Sequence, residues 1–402
     1  MENNMIPELR FPEFEGNWNP DKLGSVADFS KGKGISKADI SEDGITECIR
    51  YGELYTEYSE VITEIVSKTN IDESELVLSD ANDVIIPASG ETQIDIATAS
   101  CVAKTGVALG GDLNIIKSAI NGIFLSYYLN NAQKTNIARL SQGISVVHLY
   151  ASQLKTLNIY IPEPEEQNKI ATFLTAVDKR IKLLQKKKAE FEQYKKGVMQ
   201  KLFSQTIRFK DESGNDFPEW EEMKLGEICN YHNGGSFEKV IVEHGPYNLI
   251  TLNSIDINGK LKSTHKKVNV TDNSLNKDDL VMVLSDVAHG NFLGLTDIIP
   301  DDSYVLNQRM GALKPKITIN LYFLKTYINF HQKYFKLMGQ GSSQQNLSKG
   351  DILKFLVRTP HINEQSKIAK FLISIDNSID KLGSQIDDST KFKQGLLQKM
   401  FV

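Results

Sequence analysis

The sequence predicts an α+β protein. Two globular mixed α/β domains are separated by two long helices. The helices pair as an antiparallel coiled coil, in a pseudo-two-fold circular arrangement. Three observations predict this. First, one stretch occurs twice: Glu166–Phe203 and Glu364–Phe401 align without a gap at a constant offset of 198 residues. Second, the segment that follows the first copy resembles the start of the chain. Arg10-Phe11, Gly16-Asn17, Trp18 and Lys22-Leu23-Gly24 recur as Arg208-Phe209, Gly214-Asn215, Trp220 and Lys224-Leu225-Gly226. Third, both copies space their apolar residues by threes and fours over many turns, the seam of a coiled coil. An internal repeat on this scale divides the chain before any local reading begins.

The helices come first. In the first copy the seam is Ile170, Leu174, Val177, Ile181, Leu184, Phe191 and Val198. In the second it is Ile368, Phe371, Leu372, Ile375, Ile379, Leu382, Ile386 and Met400. Pro162 and Pro360 precede them at the same offset, and proline suits a chain entering a helix. A helix of about 38 residues is roughly 57 Å long at 1.5 Å per residue. The matched polar residues include Glu166/Glu364, Gln167/Gln365, Lys169/Lys367, Asp178/Asp376 and Lys195/Lys393. The chain therefore divides as 1–160, globular; 161–206, helix; 207–358, globular; and 359–402, helix. A circular repeat also places the N-terminal segment against the C-terminal helix.

In the first globular part, strand-like runs are Cys48–Tyr51, Leu76–Leu78, Val84–Pro87 and Leu113–Ile116, and a helix is expected near Ile120–Asn130. Glycine-bearing turns separate them. The second part follows the same plan: Leu280–Leu284 parallels Val84–Pro87, and 319–324 parallels 120–125. Between these anchors the loops differ throughout. One frame with two loop sets implies two modules doing one kind of job on different targets, since recognition residues concentrate in loops.

Composition excludes several classes. At 402 residues the chain has room for two or three domains with real cores. Cys48, Cys101 and Cys229 are scattered without a CxxC, so no zinc knot or disulfide framework is expected and a reducing cytoplasm fits. No apolar run reaches membrane-spanning length, and MENNMIPELRF does not read as a signal peptide. The net charge of −5 argues against an overall basic coat but leaves local patches open. No Asp or Glu occurs from 113 to 162 or from 303 to 350, where unpatterned charge would place about six in each. These acid-free stretches carry Lys117, Lys134, Arg139 and Lys155, then Arg309, Lys314, Lys316, Lys325, Lys333, Lys336 and Lys349. They fit a polyanion lying along each globular part.

Catalytic signatures are missing. There is no GxxxxGK[ST]. Gly32-Lys33-Gly34 opens a GxGxxG, but Lys37 stands at the third glycine. The adenine-methyltransferase tetrapeptide is absent, and Pro300-Asp301 lacks the acid-x-Lys partner of a nuclease. His244, His265 and His289 have no metal spacing and read as loop residues.

With these residues in view, the chain resembles the specificity subunits of type I restriction–modification systems. The resemblance rests on the duplicated EQxKIAxFLxxxD…G…QKxF helices, on PELRFPEF with Trp18 and KLG, and on its repeat RFKDESGNDFPEWEEMKLGEI. It covers essentially the whole chain. It implies that residues 1–160 and 207–358 are target recognition domains, each reading one half of a bipartite asymmetric DNA sequence. The coiled coil then sets the spacer between the halves. The subunit has no active site or cofactor of its own. Two methyltransferase subunits and two ATP-driven restriction subunits are its implied partners, and S-adenosylmethionine, ATP and Mg are expected on them. Adenine methylation and restriction are directed through it. Rods of this length can set two modules on one DNA face, one duplex turn of about 34–36 Å apart.

The family pattern assigns no universal contact residue, so residue type and place choose the candidates: Arg or Lys for guanine, Asn or Gln for adenine. In the first domain these are Lys31, Lys33, Arg50, Tyr51, Ser89 and Gln142. In the second they are Asn291, Gln308, Arg309, Ser342, Ser343, Gln344, Gln345 and Asn346. The competing class is a protein-assembly scaffold whose globular parts bind other subunits. Steeply salt-dependent binding to duplex DNA separates the two.

Overall fold

A computed structural model describes residues 5–143, 145–287, 290–341 and 344–402. The chain forms two compact units. The first comprises Met1–Lys187 with Leu382–Val402, and the second Lys188–Lys381. The two long helices are Pro164–Phe203 and Ile362–Lys399. Each begins in one unit and ends in the other, so each unit holds the start of one helix and the end of the other.

The first unit is built on a five-stranded sheet in the order Ala27–Lys31, Leu113–Ser118, Asp83–Pro87, Ser100–Val102, Val61–Ile62. Asp83–Pro87 is buried along its whole length, as an apolar central strand with both faces covered should be. Alternate residues point to opposite faces and feed separate cores. Val84, Ile86 and Ile116 join the core that contains Ile170, Leu174, Leu396 and Phe401 of the long helices. Ile85 and Ile115 join Ile49, Leu54 and Leu109 on the other side. The helix Gly122–Asn130 covers the first face, and the Asn121 side chain caps it by accepting from the Phe124 N–H.

The second unit repeats this frame on the four-stranded order Cys229–Asn233, Met310–Pro315, Leu280–Val283, Thr296–Ile298. Leu280 and Met282 face the core with Val198, Phe203, Ile368 and Leu372, whereas Val281 and Val283 face the opposite core. Asn320 caps Leu321–Phe330 as Asn121 does its counterpart. A second four-stranded sheet, Ile241–Val242, Lys266–Val268, Tyr247–Ile250, Tyr304–Leu306, occupies the place of a three-stranded one in the first unit.

Within each unit the helix segments run antiparallel. In the first, Lys393 meets Asp178 at 2.8 Å; in the second, Lys195 meets Asp376 at 2.6 Å. The repeat's terminal phenylalanines act alike. Phe401 packs against Trp18, Phe124 and Tyr128, and Phe203 against Phe323, Tyr327 and Phe330. The N-terminal segment lies on the end of the second helix, with the Leu9 N–H donating to Lys399 O at 2.8 Å. The first unit thereby closes the chain's start onto its end, as the circular repeat required.

One strand expectation fails. Leu76–Leu78 is not a strand. It touches Ala108–Leu109 through a single bridge at Leu78; Leu76 and Leu78 serve a small core with Ile35 and Cys48, and Val77 packs on the core of Ile49 and Leu109. Its apolar character reflects that burial. Among the described residues no helix is long and apolar enough to cross a membrane.

Candidate nucleic-acid interface

The polar residues shared by the two helix copies are structural ties. Glu166 and Glu364, 1% and 0% exposed, are gripped by Arg10 and Arg208. Arg10 does so through Nε at 2.8 Å and Nη2 at 2.7 Å, a two-point charged pairing. Gln167 donates to Pro162 O and accepts from the Asn121 N–H, and Gln365 does the same with Pro360 O and the Asn320 N–H. Each glutamine thus fixes the capped helix of its unit to the long helix. Asp178 and Asp376 also accept from Tyr127 and Tyr322. Burial, and then the carboxylate beside each, pushes both phenols far above the usual tyrosine range. They stay protonated donors.

The strand ends differ between the units. In the first, Ser89–Gly90 pairs with Val147–His148, and Gln142 bridges His148. Ser89 and Gln142 are thus brought together through His148. Tyr55 Oη donates to Ser89 O at 3.1 Å. His148 stacks on Tyr150, and Lys31 lies 5.8 Å from the Tyr150 ring. Lys33 is held near the same edge by its N–H to Leu109 O at 2.9 Å. Arg50 and Tyr51 line a neighbouring cleft of about 720 Å³ with Lys37 and Asp112. Arg50 is braced by Glu53 at 2.8 Å, which fixes its guanidinium but occupies part of it. Ser89 and Arg50 are half-buried; the other four candidates are exposed.

In the second unit, Ser285–Val287 pairs with Gln344–Asn346. Gln344 and Gln345 are half-buried and Asn346 is exposed. Ser285 Oγ donates to Asn346 Oδ1 at 2.7 Å, so Asn346 already has one partner. Gln308 and Arg309 are exposed on the adjoining turn. Arg309 has φ 73°, a left-handed backbone that costs a non-glycine residue about 1–2 kcal/mol. Asn291 is exposed beside Phe292, whose N–H is held by Asp286 at 2.9 Å. Ser342 and Ser343, like His289, lie outside the described residues.

The acid-free stretches are less open than the sequence implied. Lys117 pairs with Asp80, Lys314 with Asp279 and Lys325 with Asp297, all acids from earlier strands and loops. Lys316, Lys333 and Lys349 remain exposed. Sequence reading also missed His148, Tyr150 and Asp112. Their setting depends on strand pairing, which a linear pattern does not display. Burial pushes the Cys48 thiol up to about 11 and those of Cys101 and Cys229 to about 12, so none is a thiolate at neutral pH.

A frame repeated on matched helices, with different polar side chains at matched strand ends, defines a two-module recognition protein. The chain belongs to the type I restriction modification DNA specificity domain family, whose model matches residues 15–193 and 218–388. It is a DNA sequence-specificity subunit of the type I restriction–modification kind. It is 26% identical to the type I restriction enzyme MjaVIII specificity subunit of Methanocaldococcus jannaschii, over 97% of this chain and 93% of that one. It is also 26% identical to the putative MjaX specificity subunit of the same organism, over 70% and 68% of the two chains. Among solved structures, the type I S subunit from M. genitalium superposes with a TM-score of 0.65 at 20% identity, covering 99% of each chain. That likeness supports the fold.

Proposed function

We propose that each unit reads one half of a bipartite, asymmetric DNA sequence and that the paired helices set the unspecified spacer. The observation that carries this is the contrast at matched strand ends. Ser89 and Gln142 of one unit recur as Ser285 and Gln340 of the other, but Gly90, Val147 and His148 give way to Asp286, Gln345 and Asn346. Base edges in the major groove are told apart by such donor and acceptor differences. The fourteen candidates above supply base and phosphate contacts.

The subunit acts without catalysis of its own. Two methyltransferase subunits and two translocating restriction subunits assemble with it, and S-adenosylmethionine, ATP and Mg bind to them. It works in the cytoplasm on double-stranded DNA. The test replaces residues 207–358 with those of another member and maps methylation genome-wide in cells that hold the assembled complex. One half-site should change and the other should persist. A shift in both halves together would contradict the division of labour. In the assembled complex, affinity for duplex DNA should also fall steeply with salt.

A further inference from the structure

The strand pairing equates two turns that the aligned sequence does not. The Ala88 N–H donates to Asp112 O at 2.7 Å, and the Leu284 N–H donates to Arg309 O at 2.9 Å. Ala88 O accepts from Leu149 at 3.0 Å, and Leu284 O from Leu347 at 2.8 Å. Gly32 and Gly234 donate to Leu113 O and Met310 O, both at 3.0 Å. A Cβ on Gly32 would stand 2.0 Å from Gly110 O, and one on Gly234 would stand 2.0 Å from Asn307 O. The turn Gly110-Gly111-Asp112 of the first unit is therefore the turn Asn307-Gln308-Arg309 of the second. At one place in one frame, an acid faces out in the first unit and a guanidinium in the second.

Both side chains are exposed. Among the described residues neither enters an ion pair. Asp112 shares its cleft with Lys37, Tyr51 and the Arg50–Glu53 pair. A carboxylate is repelled by phosphates. Toward DNA it gains only from a hydrogen-bond donor, and the donor a major-groove edge offers is an exocyclic amine. An arginine at the same place matches the O6 and N7 acceptors of guanine.

We propose that this turn is the specificity-determining position common to both units, Asp112 selecting cytosine through its N4 amine and Arg309 selecting guanine. The assignment rests on the DNA-reading function proposed above and adds to it a residue outside the original candidates. Opposite charges at one place make the two half-sites differ at the corresponding position.

The test maps methylated sequences genome-wide in cells holding the full complex with Asp112→Ala, Asp112→Asn or Arg309→Gln. Asp112→Ala should relax one C·G pair in one half-site, cutting discrimination there roughly ten- to a hundred-fold. Asp112→Asn should relax the same pair. Arg309→Gln should relax one G·C pair in the other half-site by a similar factor. The spacer should not change. Relaxation at an A·T pair, relaxation in the same half by both substitutions, or an unchanged sequence in either would overturn the assignment. So would loss of all methylation in both Asp112 variants from complexes that assemble at normal yield. A parent complex that methylates no two-part sequence would instead defeat the underlying function.

Discussion

At the scale of single residues, the repeated helix positions hold the protein together more than they meet DNA. Tyr127 is fully buried and donates to Asp178, which Lys393 also reaches. Tyr127→Phe removes one hydrogen bond while leaving the ion pair, and should cost about 1 kcal/mol in urea unfolding. The two arginine ties are not equal. Glu364 also accepts from Trp220 Nε1 at 3.2 Å, whereas Trp18 Nε1 has no partner among the described residues. Arg10→Ala should therefore destabilise more than Arg208→Ala. It strands a buried carboxylate, at about 3–5 kcal/mol. Equal losses would refute this ranking. The second unit also contains two histidines, His265 and His331, whose burial holds the imidazole below its ordinary value. Their unfolded forms take up protons first, so stability should be level above about pH 6.5 and fall as pH drops below it. His331→Phe should flatten that slope; an unchanged slope would show that other groups set it.

At the scale of elements, what the sequence revealed followed from periodicity and repetition. The seams, the capped helices and the central strands are short-range patterns, and burial on both faces makes Val84–Pro87 and Leu280–Leu284 continuous apolar runs. Asp178 and Lys195 were visible as repeated positions. Their pairing across copies, Asp178 with Lys393 and Lys195 with Asp376, needed the antiparallel register. The tyrosines escaped because Tyr127 and Tyr322 come from different turns of equivalent helices yet reach matching carboxylates. The interface was legible mainly at glycine-marked turns. At Gly143 and Gly341, φ is 123° and 118°, and a Cβ would lie 2.0 Å from Val146 O and 2.1 Å from Gln344 O, so both hairpins demand glycine. Asp112 was invisible, since only strand pairing gives it the place in its unit that Arg309 holds in the other.

At the scale of the whole molecule, each long helix contributes to both units. Unit composition switches between Lys187 and Lys188 on one helix and between Lys381 and Leu382 on the other. Four residues inserted at both points leave every tie inside each unit in place. They lengthen each rod by about 6 Å, or roughly two base pairs at 3.4 Å each. The most direct measurement is single-molecule methylation mapping of a complex carrying this paired insertion. The same two half-sites should appear, with a longer spacer between them. An altered half-site with an unchanged spacer would contradict this.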